Sequence, residues 1–177
     1  MACLVNSGRT DACKTFIGGL KNIYVANYAP DLFTILAGEV TGIAVGLTEV
    51  FKYELRADGN LTATEGVSDK NTGTTVFNQS LSAVLIGQDK DTALQLKLLM
   101  QGYQYVIVQD RMDNYRLLGS LEGGSVTASS ILSGGAHADF NGFNMTWTST
   151  ATSPPETLDS ATVVALLALV SATNITP

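Results

Sequence analysis

The sequence predicts a mainly β protein: a β-sandwich or barrel with a long hairpin and one packed α-helix, plus flexible N- and C-terminal arms. Three observations lead to this prediction. Short apolar segments, several with period-two alternation, are separated by glycine-rich turns. One segment has the cap and spacing of a helix. Charged residues make up only 15% of the 177 residues, well below the ~25% of an average soluble domain.

Most of the chain predicts strands joined by tight turns. Residues 20–28 are rich in aromatic and β-branched side chains, and residues 33–45 predict a second strand that its two glycines kink or bulge. Apolar and charged side chains then alternate over residues 51–56, before an Asp-Gly pair. We therefore expect a hairpin over residues 50–67 and a polar loop at 68–73. Further strands are predicted at residues 74–86, 103–109, 115–121, 125–132 and 140–150.

The helix is predicted at residues 89–101. Asp89 or Asp91 can cap its N-terminus, and Gly102 occupies the position of a left-handed C-terminal residue. Apolar side chains recur four residues apart and make a broad face, which should pack on a sheet. The side chains expected to be buried there are Leu94, Leu98 and Met100.

The two ends of the chain predict arms outside the sandwich. Residues 1–14 have no helix or strand period, and a Pro-Pro pair ends the domain, so the predicted divisions are 1–14, 15–155 and 156–177. The last segment holds an apolar cluster whose burial would release ~25 cal/mol per Å². We expect it to be disordered in the monomer and to order on assembly, so that a chain ending at Pro155 folds but assembles poorly. The candidate assembly residues are Val163, Val164, Leu166, Leu167, Leu169 and Val170.

Composition and charge argue for contacts between copies of the chain. The net charge is −6 and the pI about 4.6, which disfavours specific nucleic-acid binding, because that usually requires a basic surface. The longest apolar run, residues 161–170, is too short for a bilayer span of ~20 residues. The predicted strands lack the lysines that usually prevent edge pairing, which favours self-assembly. Cys3 and Cys13 predict two free thiols, with a disulfide as the alternative.

The sequence predicts no catalytic, cofactor or metal site, and no enzyme. His137, the sole histidine, lies in a glycine-rich segment and is interpreted as a solvated loop residue. The acidic pair Asp89 and Asp91 is interpreted as helix capping, and Asp110 and Asp113 as turn residues. No nucleophile elbow or phosphate-binding loop is present.

Several segments share a layout of strand and glycine turn: GGLKNIY at 18–24, YRLLG at 115–119, LEGGSV at 121–126, SGGAHAD at 133–139 and FNGFNMT at 140–146. Over residues 15–155 this order resembles the tail tube proteins of long-tailed bacteriophages and their relatives in contractile tails and type VI secretion tubes. The segment after Pro155 has no counterpart in that resemblance.

The resemblance implies a structural protein of the virion, assembled in the host bacterial cytoplasm. Six copies would form a ring whose inner sheet closes into one barrel, and rings would stack into a tube for DNA. An acidic lumen would let DNA pass without sticking. The implied partners are further copies and other tail proteins, with no membrane and no small-molecule substrate.

Three alternatives remain at this point. One is another virion part, such as a head decoration, connector or tail-end protein. A second is a carbohydrate-binding β-sandwich that uses Trp147, Tyr103 and Tyr105, although aromatic side chains on strands more often belong to a core. An enzyme is the third.

Overall fold

The computed structural model describes residues 7–10 and 14–171. Cys3 and Cys13 lie outside the described residues, so the prediction about their state is not addressed. The prediction of a mainly β fold is confirmed, and the described residues contain two helices. The elements are β1 (Leu20–Asn27), β2 (Phe33–Leu36), β3 (Glu39–Ile43), β4 (Phe51–Glu54), β5 (Leu61–Asp69), β6 (Thr74–Ile86), α1 (Lys90–Gln101), β7 (Gln104–Asp110), β8 (Tyr115–Leu118), β9 (Gly124–Leu132), β10 (Gly142–Ala151), β11 (Glu156–Leu158) and α2 (Ser160–Ala168).

The strands form two layers that are joined at one point. Sheet I has the order β4-β1-β7-β8-β11-β3-β2, and sheet II has the order β9-β10-β6-β5. Among residues 7–10 and 14–171, the strand pairing between the layers is a single residue pair, Gln104 with Gly124. β8 and β9 both lie along the same edge of β7, so the chain changes sheets in the turn between them.

Three glycines build this corner. Gly119 and Gly123 have φ values of 78° and 69°, a left-handed conformation that favours glycine. Gly124 lies directly against the Trp147 ring, where a Cβ atom would collide with the indole. The corner therefore depends on residues without side chains.

Sheet I is covered on both faces. Alternate residues of β1 point to opposite sides: Ile23 and Val25 pack between the two sheets, whereas Tyr24 and Ala26 pack on the far side, beneath α2. The core between the sheets is filled mainly by Trp147 and Phe143 from β10 and by leucines from β6 and α1. This two-sided burial explains the continuous apolar runs of β1 and β7.

The predicted hairpin at residues 50–67 is wrong. β4 pairs with β1, with Tyr53 opposite Ile23, and the hairpin is instead β5–β6. The Asp-Gly turn exists, with φ of 89° at Gly59, but it carries the chain from sheet I to sheet II. The alternation predicted the strand correctly, but the partner strand is distant in sequence. Residues 33–45 likewise form two strands, β2 and β3, joined by a turn with positive φ at Ala37 and Gly38.

The helix at residues 89–101 is confirmed, but its predicted packing is not. Asp89 caps α1 by accepting a hydrogen bond from the Thr92 amide (2.7 Å), while Gly102 is extended rather than left-handed. Leu96 is the buried leucine, and Ala93 and Leu99 pack beside it. The side chains predicted to be buried are half exposed, because α1 lies at the flank of the sandwich and inserts one narrow stripe: Leu94 is 50% exposed, Leu98 51% and Met100 45%.

The expected C-terminal arm is also corrected for the residues that the structure describes. β11 inserts between β8 and β3 in sheet I, and α2 follows it. Leu166 of α2 is fully buried with Leu158 in the core on the far side of sheet I. The Pro-Pro pair thus precedes a strand of the domain instead of ending the domain.

Candidate assembly surface

The outer face of sheet II carries no basic side chain; most of its residues are polar, and Leu61, Val67, Ile86 and Leu132 are exposed apolar residues on the same face. On neighbouring strands, side chains that project from the same face of the sheet lie opposite each other. On the outer face, Ser80 lies between Thr148 and Ala63, and Ser130 lies opposite Asn144. The other side of the same strands holds the core residues, such as Trp147. None of the four strands contains a lysine, arginine or histidine on either face, and their only charged residues are Glu65 and Asp69.

Both edges of sheet II are open among the residues that the structure describes. Within them, β5 pairs only with β6. β9 pairs with β10 on one side, and on its other side residues 125–132 have no strand partner in the described part of the chain. Neither strand carries the lysine or proline that usually protects an exposed edge. A bulge at Thr127 increases the local twist of β9, as curvature of a sheet requires.

The β5–β6 hairpin projects beyond the rest of sheet II. β10 ends opposite Phe77, so residues 67–76 form a ribbon of two strands only. Its tip is held by Asp69, which accepts a hydrogen bond from the Asn71 amide (2.8 Å), and by a contact of 3.1 Å between the Ser68 and Thr75 hydroxyls. We call residues 67–76 the ribbon.

The six candidate assembly residues separate into two groups. Leu166 belongs to the core, and Val163, Leu169 and Val170 pack against that core. Val164 and Leu167 point outward from α2, which has no charged residue. Sequence reasoning identified an apolar segment and predicted unprotected strand edges, but it did not assign those edges to β5 and β9, which requires the pairing of strands.

A buried hydrogen-bonded side chain connects sheet II to the glycine turn between β8 and β9. The Gln79 side chain is 1% exposed. Its Oε1 atom accepts hydrogen bonds from the Gly119 amide (2.9 Å) and from the Ser149 hydroxyl (3.2 Å). Because these bonds satisfy buried donors, they fix the geometry between sheet II and the turn that joins the layers.

The residues considered for chemistry belong to three different segments: the cap of α1, the β7–β8 turn and the β9–β10 loop. His137 is exposed in the loop between β9 and β10, where Asp139 accepts bonds from the Gly135 and Ala136 amides that lower the pKa of its carboxyl group. The Asp110 carboxylate accepts a hydrogen bond from the Met112 amide (2.8 Å) in the β7–β8 turn. No cluster of three or more potential metal ligands occurs among the described residues. Two clefts, of about 290 and 330 Å³, each contain a single carboxylate side chain.

The three aromatic residues of the carbohydrate-binding alternative do not form a platform. Trp147 is 2% exposed and Tyr105 is buried, whereas Tyr103 is 67% exposed. The Tyr105 hydroxyl donates to the Ala29 carbonyl (3.1 Å). Burial, followed by the proximity of Tyr28 and Asp31, raises the pKa of Tyr105 to about 12, so it remains a neutral donor inside the protein.

No protein-family model, curated protein or solved structure matches the chain. No helix within residues 7–10 and 14–171 has the length and apolar character needed to cross a membrane.

Proposed function

We propose that the chain is a structural subunit that assembles into rings and tubes, and that it serves as the tail tube protein of a tailed bacteriophage. The observation that carries this proposal is sheet II: four strands with two open edges and an outer face free of basic side chains. The virion is its proposed location, and other tail proteins are its proposed partners.

Strand direction supports closure into a ring. The four strands of sheet II alternate in direction, so β5 and β9 run in opposite directions. Copies in a ring are related by rotation about the ring axis. If the strands run along that axis, the rotation leaves their direction unchanged. β5 of one copy therefore meets β9 of the next in an antiparallel arrangement. A ring of copies, six by the resemblance, would thus close a continuous barrel that leaves no edge unpaired.

The composition of sheet II supports passage of DNA. If its uncovered face lines the barrel, the lumen presents hydroxyl and amide groups together with a few apolar side chains, and Glu65 and Asp69 are its charged residues. Tight phosphate binding depends on Lys and Arg, which release counterions. A lumen without them would let a polyanion move without being held.

A matched pair of lysine substitutions tests the ring. Ser130→Lys places a charge on the open strand β9, whereas Asn144→Lys places one directly opposite it on the central strand β10. We expect wild type and Asn144→Lys to form rings or tubes in negative-stain microscopy and Ser130→Lys to remain monomeric, with similar circular dichroism for all three. A wild-type chain that remains monomeric at millimolar concentration by light scattering would refute the proposal.

A further inference from the structure

We propose that the tip of the ribbon binds a cleft at the other end of strand β5 in a copy of the next ring. This inference rests on the proposed ring and tube, and it names the contact that joins one ring to the next. The tip is the turn between β5 and β6, residues 70–73. The cleft, which we call the end cleft, has a volume of about 290 Å³ and lies between residues 17–20, residues 57–60 and Arg111.

Strand β5 places the tip and the end cleft at opposite ends of the molecule. Residues 57–60 lead directly into β5 at Leu61, whereas the tip follows its last residue, Asp69. The nine residues of the strand span ~30 Å, at ~3.3 Å per residue. Because both features adjoin one strand of the proposed barrel, they lie at similar distances from the ring axis. A copy displaced along the strand direction therefore brings its tip to the end cleft of the first copy.

Hydrogen bonds hold both surfaces in shape before any contact forms. The Leu55 amide donates to the Lys21 carbonyl (3.0 Å), which fixes the β4–β5 turn beside the start of β1. At the tip, the Gly73 amide donates to the Asp69 carbonyl (2.9 Å). Surfaces that are already ordered lose little conformational entropy when they bind.

The charges of the two surfaces are complementary. Lys70 is the first residue of the tip, and Asp58 lines the end cleft. The Arg111 side chain lies over Gly19, where a Cβ atom would be 3.0 Å from its Nε atom. Lys70, Asp58 and Arg111 are exposed, and none forms an ion pair with another residue in the described part of the chain. The end cleft thus offers a carboxylate to Lys70 and guanidinium donors to the carbonyl groups of the tip.

The direction of the contact suits a stack of rings. Tip and end cleft are different surfaces, so the contact is head-to-tail, and each ring keeps free tips at one end and free clefts at the other. Every copy of a ring makes the contact at the same time, so a contact that is weak in one copy becomes strong between rings. Geometry and charge therefore both favour a second copy as the occupant of the cleft.

A substitution that fills the end cleft tests the contact. Gly18 lines the cleft and no atom lies within 4 Å of a Cβ atom there, so Gly18→Phe should leave the monomer folded. We expect rings as in wild type but stacks about tenfold shorter or more in negative-stain micrographs, because every copy of a ring loses the contact at once.

Gly135→Phe is the matched control. Gly135 lies in the β9–β10 loop at the same end of sheet II, outside the cleft, and the nearest atom to a Cβ there is 3.6 Å away. Stacks of wild-type length for Gly18→Phe, or equal shortening in the control, would overturn the inference.

Disulfide crosslinking separates this inference from the proposed function. Lys70→Cys with Asp58→Cys, in a chain that also carries Cys3→Ser and Cys13→Ser, should give a ladder of covalent oligomers after oxidation with diamide, because a disulfide needs Cα atoms within ~7 Å. Stacked rings without a ladder would overturn the inference and leave the tube standing. A ladder from single-file chains without rings would support the inference and refute the ring. A chain that forms no oligomer would refute both.

Discussion

Gly124 shows how one residue without a side chain decides the path of the chain. Its Cα faces the Trp147 indole and the Thr148 carbonyl, and a methyl group at this position would clash with both. We expect Gly124→Ala to lower the free energy of unfolding by at least ~1–3 kcal/mol, the usual cost of overpacking, as measured by urea denaturation. Gly18→Ala is the control, because a Cβ atom there would meet nothing within 4 Å. Equal stabilities for the two variants would contradict this account of the corner.

Gln79 makes a second prediction at the level of single residues. Gln79→Leu keeps the volume but leaves the buried Gly119 amide without its acceptor. We expect a loss of ~1–3 kcal/mol in the free energy of unfolding, the desolvation penalty of an unsatisfied donor. Gln95→Leu, on the exposed side of α1, is the control and should change stability by less than ~0.5 kcal/mol. A similarly small effect at Gln79 would show that its hydrogen bond to the Gly119 amide does not contribute to stability.

The capping residue of α2 makes stability depend on pH at the level of an element. The Asp159 carboxylate accepts a hydrogen bond from the Thr162 amide (2.6 Å), and bonding to Thr162 lowers the pKa of Asp159 in the folded state. A lowered pKa means that the stabilisation is present above the unfolded-state value of ~3.9 and is lost as pH falls through the folded-state value.

Asp159→Asn should therefore flatten the acid side of the stability profile. Asparagine keeps the cap but does not titrate, so the melting temperature should be similar at pH 7 and fall less than that of wild type between about pH 5 and 2. Asp58→Asn, in the β4–β5 turn, caps no helix and is the control. Parallel acid profiles for wild type and Asp159→Asn would rule out this source of pH dependence.

At the scale of the whole molecule, the segment after the prolines holds sheet I together. β11 lies between β8 and β3, and Leu158 and Leu166 belong to the core. A chain ending at Pro155 should therefore lose cooperative unfolding in circular dichroism, since each buried leucine contributes ~2–5 kcal/mol. A chain ending at Ser171 keeps every described element and is the control. Cooperative unfolding of the shorter chain near the wild-type temperature would restore the interpretation of this segment as an arm.

The ribbon makes a second prediction at this scale, which depends on the proposed tube. Replacing residues 67–76 by Asn-Gly joins Gly66 and Phe77, which already face each other, through a two-residue turn. Because the deleted part projects past sheet II, the rings should still form while stacks of rings should shorten or disappear in micrographs. Long tubes from the shortened chain would show that the ribbon has no part in stacking.

The local features of this protein could be predicted from its amino-acid sequence. Alternation, turn residues and a capping aspartate located β1, β6 and α1 nearly to the residue, because these signals act between neighbours in the chain. The composition likewise showed that basic residues are scarce, and sheet II contains no basic side chain.

Strand pairing and the burial of individual apolar residues could be established only from the three-dimensional structure. β4 joins β1 instead of the following strand, Leu98 stays exposed while Leu166 is buried, and β9 keeps an open edge. The physical reason is that burial and pairing depend on segments far away in the chain. A periodic pattern records that a side chain is apolar, but not whether its cover comes from its own domain or from another molecule.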